Sequence, residues 1–342
     1  MGQERMRGEN CMKCAYYLPE KVLSNIELAS IYEGWTAEKI LTKTGISTRH
    51  VSGEGETAVD LAEKAARKLF GMGVDPKSID YILLCTQSPD YKLPSSACIL
   101  QDRLGIPTSA GALDFGLGCS GFVYGLSLAK GLIQGKMAKN VLLLTADTYT
   151  KYIHPMDKSV RTIFGDGAAA TLIDAAMADD IGSFVFGTDG RGADKLIVRT
   201  GGAREPISRC GTEISELTDA SGNVRTRDNI FMNGPEIFNF TLDVVPRTMD
   251  EVCDKNGIDR DAVDFYVFHQ ANKFMLDTIR KVNAIPRDKY YVDLEDTGNT
   301  VSSSIPIALS RARERGIIKP GMRVLIMGFG VGLSWGSTLL KI

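Results

Sequence analysis

The same order of features runs twice along this chain, and that repeat restricts the fold more than any single motif does. Asp75-Pro76-Lys77-Ser78-Ile79-Asp80 leads into the apolar run Tyr81-Ile82-Leu83-Leu84. Asp259-Arg260-Asp261-Ala262-Val263-Asp264 leads into Phe265-Tyr266-Val267-Phe268, 184 residues later (259 less 75). Each is preceded by one helical pattern and followed by another, which ends in Ile106-Pro107 or in Ile285-Pro286. The strands Leu113-Asp114-Phe115 and Val292-Asp293-Leu294 are expected next, then glycine turns and helices. Each half closes on an apolar strand, 141–145 and 324–328, offset by 183 (324 less 141). Strands alternating with helices specify an α/β fold, and 342 residues are more than one core usually organises. The expected architecture is two duplicated α/β halves, 1–175 and 176–342, related by a pseudo-twofold axis.

Local patterns fill in the elements. Helices are expected over 19–30, 36–41, 57–70, 94–104 and 122–133, with a polar loop at 42–56. Ala58, Leu61, Ala62, Ala65, Ala66 and Leu69 give the 57–70 segment one apolar face. Buried strands are expected at 81–85, 110–115 and 141–145, and a further strand ends near Ile173. Residues 182–234 are glycine-rich and polar, and read as strands and long loops that cap a site.

The chemistry concentrates where the repeat places strand ends. Ligands in such sheets bind beyond the carboxyl ends of the strands. In the first half that position holds Gly116-Leu117-Gly118-Cys119-Ser120-Gly121-Phe122, a strand-to-helix turn with glycines on both sides of a cysteine. A helix N-terminus favours a thiolate, and the thiolate is the nucleophile. The alternative is a buried structural cysteine, which is common. In the second half the equivalent turn holds Gly298-Asn299-Thr300, and a neighbouring strand ends in His269-Gln270-Ala271-Asn272. Cys119, His269 and Asn299 should therefore face a common centre. A lone histidine after a strand is often only a satisfied polar residue; the convergence with Cys119 favours catalysis.

Bulk composition excludes several classes. A net charge of −2 provides no basic excess for binding nucleic acid. Seven cysteines, an odd number spread over the chain, suit reduced thiols in a cytosol rather than a disulfide framework. Cys11-x-x-Cys14 has no second pair nearby, and the three histidines, His50, His154 and His269, are not at metal-ligand spacing, so no metal site is expected. The polar residues 1–10 are not expected to be a signal peptide. No apolar run reaches the roughly 20 residues of a membrane helix. A cytoplasmic protein is expected.

Thr44-Gly45-Ile46, Gly118-Cys119-Ser120-Gly121-Phe122, Phe164-Gly165-Asp166-Gly167-Ala168, His269-Gln270-Ala271-Asn272, Gly298-Asn299-Thr300, Gly328-Phe329-Gly330-Val331-Gly332 and Trp335-Gly336-Ser337 occur in an order that resembles the thiolase superfamily, most closely β-ketoacyl-acyl-carrier-protein synthase III. The resemblance runs from about Leu18 to the C-terminus. It implies a layered αβαβα core, a homodimer, and a decarboxylating Claisen condensation in fatty acid biosynthesis. Cys119 would carry the acyl group, and His269 and Asn299 would stabilise the enolate of a malonyl thioester on acyl carrier protein. The backbone N–H groups of Cys119 and Val331 would form an oxyanion hole. No metal or organic cofactor is implied. Phe329 would shield the site, and Leu93 would close the acyl pocket of the second subunit. Lys39, Lys43, Lys158, Asn272, Arg280 and Lys281 stand where relatives contact coenzyme A or the carrier. Lys39 replaces a tryptophan, and Lys43 and Lys158 replace arginines, so acetyl-CoA is not expected to be the favoured donor; Phe274 replaces an arginine in the carrier-docking segment. Alternatives are an acyltransferase or acyl–acyl condensing enzyme on the same scaffold, a non-catalytic subunit, and, more remotely, a papain-like protease with the same Cys–His–Asn order.

Overall fold

The computed structural model describes residues 12–207 and 215–342. The first half runs β1 (Lys13–Tyr17), β2 (Val22–Ser24), α1 (Asn25–Ile31), α2 (Ala37–Thr44), β3 (Thr48–His50), α3 (Ala58–Gly71), β4 (Tyr81–Cys85), α4 (Ser96–Arg103), β5 (Gly111–Phe115), α5 (Gly121–Gln134), β6 (Val141–Asp147), α6 (Lys158–Arg161), β7 (Gly167–Ile173) and α7 (Ala175–Asp180). The second runs β8 (Val185–Thr188), β9 (Leu196–Ile197), β10 (Leu217–Thr218), β11 (Val224–Arg225), β12 (Phe231–Met232), α8 (Gly234–Lys255), β13 (Phe265–Phe268), α9 (Lys273–Val282), α10 (Ser304–Glu314), β14 (Arg323–Gly330) and β15 (Ser334–Lys341).

The duplication is visible in the sheets. One has the order β1-β7-β6-β4-β5 and the other β8-β15-β14-β13. β4 runs parallel to β6, and β13 runs parallel to β14. The next two pairings outward are antiparallel in both sheets. The apolar runs of β4, β6 and β14 are buried almost throughout, because both faces of each sheet are covered. α5 and α10 fill the space between the sheets: α5 packs on β4 and β6 and also on β14 and β15, while α10 packs on β1 and β13. Phe122, Val123 and Leu126 of α5 are fully buried there, at about 1.5–3 kcal/mol each. α3 covers the outer face of the first sheet and α8 that of the second. These are the five layers.

Polar side chains set the helix starts. Ser24 and Glu27 form a capping box on α1, and Thr57 and Asp60 form one on α3. Asp114 of β5 accepts the Ser96 and Ala97 N–H groups at 2.5 and 2.7 Å and so caps α4, whose own N-cap Ser95 makes no such bond. Burial of the apolar stripe of α3 then fixes its face.

Four local expectations need correction. Residues 22–24 form a strand paired with β3, so the helix expected over 19–30 begins only at Asn25. The loop expected at 42–56 contains the end of α2 and all of β3. β5 is a strand but not a buried one: it is an edge, and Leu113 is 42% exposed. No strand forms at 292–294. There the Asp293 N–H is accepted by Gln270 Oε1 at 2.7 Å, and pairing with β13 is limited to a bridge between Tyr266 and Tyr290. Of the Cys11-x-x-Cys14 pair, Cys11 lies outside the described residues, as do 1–10 and 208–214; Cys14 is buried, with its thiol 3.7 Å from Pro306 O.

Candidate active site

The turn after β5 is wedged against the end of β14. A Cβ at Gly328 would lie 2.5 Å from Cys119 O and 2.7 Å from Ser120 Cα, and one at Gly330 would lie 2.9 Å from Cys119 Sγ. Only glycine permits this approach. The contact is secured by Ser334 Oγ, which donates to Val331 O and lies 2.8 Å from Ser120 Oγ. Cys119 is 4% exposed. Burial and then the nearby Asp147 carboxyl push its thiol up to about 12, while the backbone N–H groups of Cys119 and Val331 act in the opposite sense. The helix end therefore does not leave a resting thiolate, as the sequence led us to expect; desolvation outweighs it.

Asp147, the last residue of β6, is itself fully buried. Its carboxyl accepts the Gln87 N–H at 2.8 Å and the Ser302 N–H and O–H, so it joins both halves just behind Cys119. Burial raises its pKa to about 7.

His269 follows β13, its N–H donated to Met327 O at 2.8 Å. Burial drives its pKa down to about 3, so the ring is neutral. Its Nδ1 lies 2.7 Å from Ser304 Oγ, and its Nε2 lies 3.4 Å from Asn299 Nδ2. Asn299 is held by the opposite half: its N–H donates to Ile163 O at 2.9 Å and its carbonyl accepts the Gly165 N–H at 3.0 Å. Its side-chain Oδ1 accepts the Val301 N–H at 2.9 Å. Phe329 meets the His269 ring edge-on, with centroids 5.8 Å apart. Cys119, His269, Asn299 and Phe329 all line one cavity of about 790 Å³, within the usual range for ligand sites. His50 and His154 lie elsewhere, bonded to Pro19 O and Glu216.

The other expected contacts divide. Lys43 and Lys158 line the cavity, and Lys158 Nζ also donates to Ser221 O at 2.7 Å, tying down the 219–223 turn. Lys39 does not line it; its ammonium donates to Gly34 O. Asn272 lines the cavity, and its side chain caps α9 by accepting the Met275 N–H at 2.9 Å. Arg280 bends back to Ile285 O, and Lys281 is exposed on the same helix. Phe274 is exposed at the mouth and stacks on Phe238. Leu93 is 82% exposed and does not line this cavity.

Several residues at the site were not singled out from sequence. Trp35 lines the mouth with the Lys39 and Lys43 ammonium groups 5.1 and 5.2 Å from its ring centre, so an indole is present after all. Trp35 lies two residues before the start of α2, so its contact with Lys39 and Lys43 does not follow from a helical face. Arg225 also lines the mouth, held by Asp157 and Asp219. A second cavity of about 570 Å³ begins at Val331 and is lined by Gln87, Tyr149 and Tyr152 together with apolar residues such as Ile197 and Ile230. Described residues within the segment 182–234 line both cavities, as expected of a capping region. Among the described residues no cluster of three or more His, Cys, Asp or Glu could hold a metal, and no helix is long and apolar enough to cross a membrane.

Comparison with known proteins shows the family. The family model for 3-oxoacyl-[acyl-carrier-protein] synthase III matches residues 113–190, and the model of its C-terminal part matches 253–342. The β-ketoacyl-[acyl-carrier-protein] synthase III of Caldanaerobacter subterraneus is 36% identical over 95% of both chains. A crystal structure of a 3-oxoacyl-(acyl-carrier-protein) synthase III superposes with a TM-score of 0.93 at 55% identity, covering 96% of this chain and 98% of that one. The 3-oxoacyl-(acyl-carrier-protein) synthase of Burkholderia xenovorans gives 0.86 at 34% identity, over 97% and 93%. The papain-like alternative falls with these matches: the order Cys119, His269, Asn299 arises here from two repeated sheets.

Proposed function

From the premise that the chain belongs to the β-ketoacyl-acyl-carrier-protein synthase III family, we propose that Cys119, His269 and Asn299 carry a decarboxylating condensation between an acyl thioester and a malonyl thioester. The chain is a condensing acyltransferase of this type. The observation that carries the residue roles is the shared cavity, with one thiol and two neutral nitrogen groups facing it and a backbone pair at the sulfur.

In the first half-reaction the Cys119 sulfur attacks the donor carbonyl. The oxygen of that tetrahedral adduct is received by the Cys119 and Val331 N–H groups, each worth about 3–4 kcal/mol in such a role. The thiol's proton leaves with the departing coenzyme A or carrier thiolate, so one thioester and one thiol replace another pair. The high thiol pKa means that deprotonation accompanies attack. In the second, malonyl thioester loses CO₂, and the enolate oxygen is held by His269 and Asn299. No strong base is needed, which suits a histidine kept neutral by burial. The enolate carbon attacks the acyl carbonyl on Cys119, and collapse frees the thiolate, which takes up a proton. Phe329 shields this step from water. The reading calls for no cofactor.

The acyl chain would enter the second cavity, whose 570 Å³ supports a donor larger than acetyl. Trp35, Lys43, Lys158, Asn272 and Arg225 at the mouth would meet coenzyme A or the phosphopantetheine arm, and Lys39, Arg280 and Lys281 would meet an acidic carrier protein. A homodimer is supported by the open β5 edge with Leu113 exposed and by exposed Tyr91 and Leu93, which would reach the partner's acyl pocket. The division into two halves, 1–175 and 176–342, is supported by the matching sheet orders, and its boundary falls at the start of α7. Thioester substrates and the free cysteines of the described residues suit the cytoplasm.

Intact-mass screening of Cys119 across coenzyme A and carrier thioesters, followed by labelled CO₂ release from malonyl-carrier, tests the reading. Acylation should vanish in Cys119→Ala. A Cys119→Ala protein that still forms the 3-oxoacyl product would overturn it.

A further inference from the structure

Both polar side chains opposite Cys119 are fixed from one short segment, 299–304. The Val301 N–H donates to Asn299 Oδ1, which settles the amide's orientation and leaves Nδ2 beside His269. Val301 takes φ +53, rare for a β-branched residue, and this turns the chain so that Ser304, three residues on, faces the imidazole. Ser304 Oγ accepts the Gln270 N–H at 3.3 Å and lies 2.7 Å from His269 Nδ1. Its own proton then needs an acceptor. Among the described residues Nδ1 is the acceptor within reach.

We propose that Ser304 is a positioning residue that donates its hydroxyl proton to His269 Nδ1 and so holds the ring in the tautomer with hydrogen on Nε2. The proposal extends the condensing role given above to His269. With that tautomer, His269 Nε2–H and Asn299 Nδ2–H are two donors 3.4 Å apart that cannot bond each other, and both are left for the enolate oxygen. In the other tautomer Nε2 would be a bare acceptor, would take the Asn299 N–H, and would repel that oxygen. Burial keeps the ring neutral, so the choice at neutral pH is between tautomers rather than charge states.

The test uses the full chain labelled with ¹⁵N-histidine, which has only His50, His154 and His269 to assign. Long-range ¹⁵N–¹H correlations should show His269 with a pyrrole-like Nε2 and a pyridine-like Nδ1, unchanged from pH 6 to 8. Ser304→Ala should weaken that bias. It should also slow malonyl-carrier decarboxylation by between about tenfold and 10⁴-fold, the upper figure being a fully wrong tautomer. Cys119 acylation should be unaffected, and Ser304→Thr, which keeps the hydroxyl, should restore decarboxylation. A hydrogen on Nδ1 in the unmutated protein overturns the proposal without any variant. So does a Ser304→Ala protein that decarboxylates normally, or one in which both half-reactions fall together with the melting temperature. If the unmutated protein decarboxylates no malonyl thioester yet shows the Ser304-dependent tautomer, the condensing role fails and the tautomer assignment stands.

Discussion

Gly328→Ala is the sharpest probe of how the nucleophile is placed. The added methyl would lie 2.5 Å from Cys119 O, about 0.9 Å inside ordinary contact at 3.4 Å, and the opposing atoms are backbone on both sides. No rotamer change relieves this, so the end of β14 and the Cys119 turn must separate by nearly that distance. Val331, three residues further on, whose backbone N–H lowers the Cys119 thiol pKa, would move with the strand. A misplacement of about 1 Å costs about 10²-fold in rate, and overpacking costs about 1–3 kcal/mol of stability. We therefore expect Cys119 acylation, followed by intact mass against time, to slow about a hundredfold, with a melting temperature only a few degrees lower. Gly131→Ala is the control: it lies on the exposed side of α5 with open space around it, and should stabilise by about 0.5–1 kcal/mol at unchanged rate. Acylation of Gly328→Ala at the normal rate would refute the argument that this contact sets the sulfur's position.

Cys119 alkylation by iodoacetamide should climb about tenfold per pH unit from pH 7 to 10 without a plateau, because only the thiolate reacts and its pKa is pushed up to about 12. The same shift links to stability: the folded thiol holds its proton from pH 9 to about 12 where the unfolded one does not, so this contribution is present below pH 9 and lost above it. Asp147→Asn removes the second-largest cause of that shift, and alkylation at pH 8 should become faster; an unchanged rate would mean that burial acts alone. Arg49→Met should cost roughly 3 kcal/mol or more in urea unfolding. The guanidinium is wholly buried and donates to Leu23 O, Asn25 Oδ1 and Thr162 O, and these three bonds would be lost.

The sequence is readable where one physical cause dominates. β4, β6 and β14 are apolar on both faces because helices cover both faces, and the runs at 81–85, 141–145 and 324–328 report this directly. The same composition misleads at β5, since apolarity does not say whether a strand has a second neighbour. Val22-Leu23-Ser24 is too short to show alternation, although Ser24 and Glu27 already mark the helix start that follows. The strand pattern at Val292-Asp293-Leu294 is overridden by Gln270, whose side chain takes the N–H that a ladder would have used. At the site, Cys119, His269 and Asn299 were found because the repeat aligns strand ends. Asp147 was missed because its influence on the thiol depends on burial and on Ser302, 155 residues away. Ser304 and Trp35 were missed because their roles are pairwise contacts, which residue type alone does not encode.

The backbone of Asn299 is bonded on both its N–H and its carbonyl to residues 163–165 of the other half. Neither half on its own therefore supplies all the partners that hold Asn299 in this place. Parting the halves, by heat or by expressing them separately, removes Asn299 from its place before either sheet need melt. Turnover then serves as a reporter of the docked state, and enzymes whose sheets persist after docking is lost would be silent rather than slow.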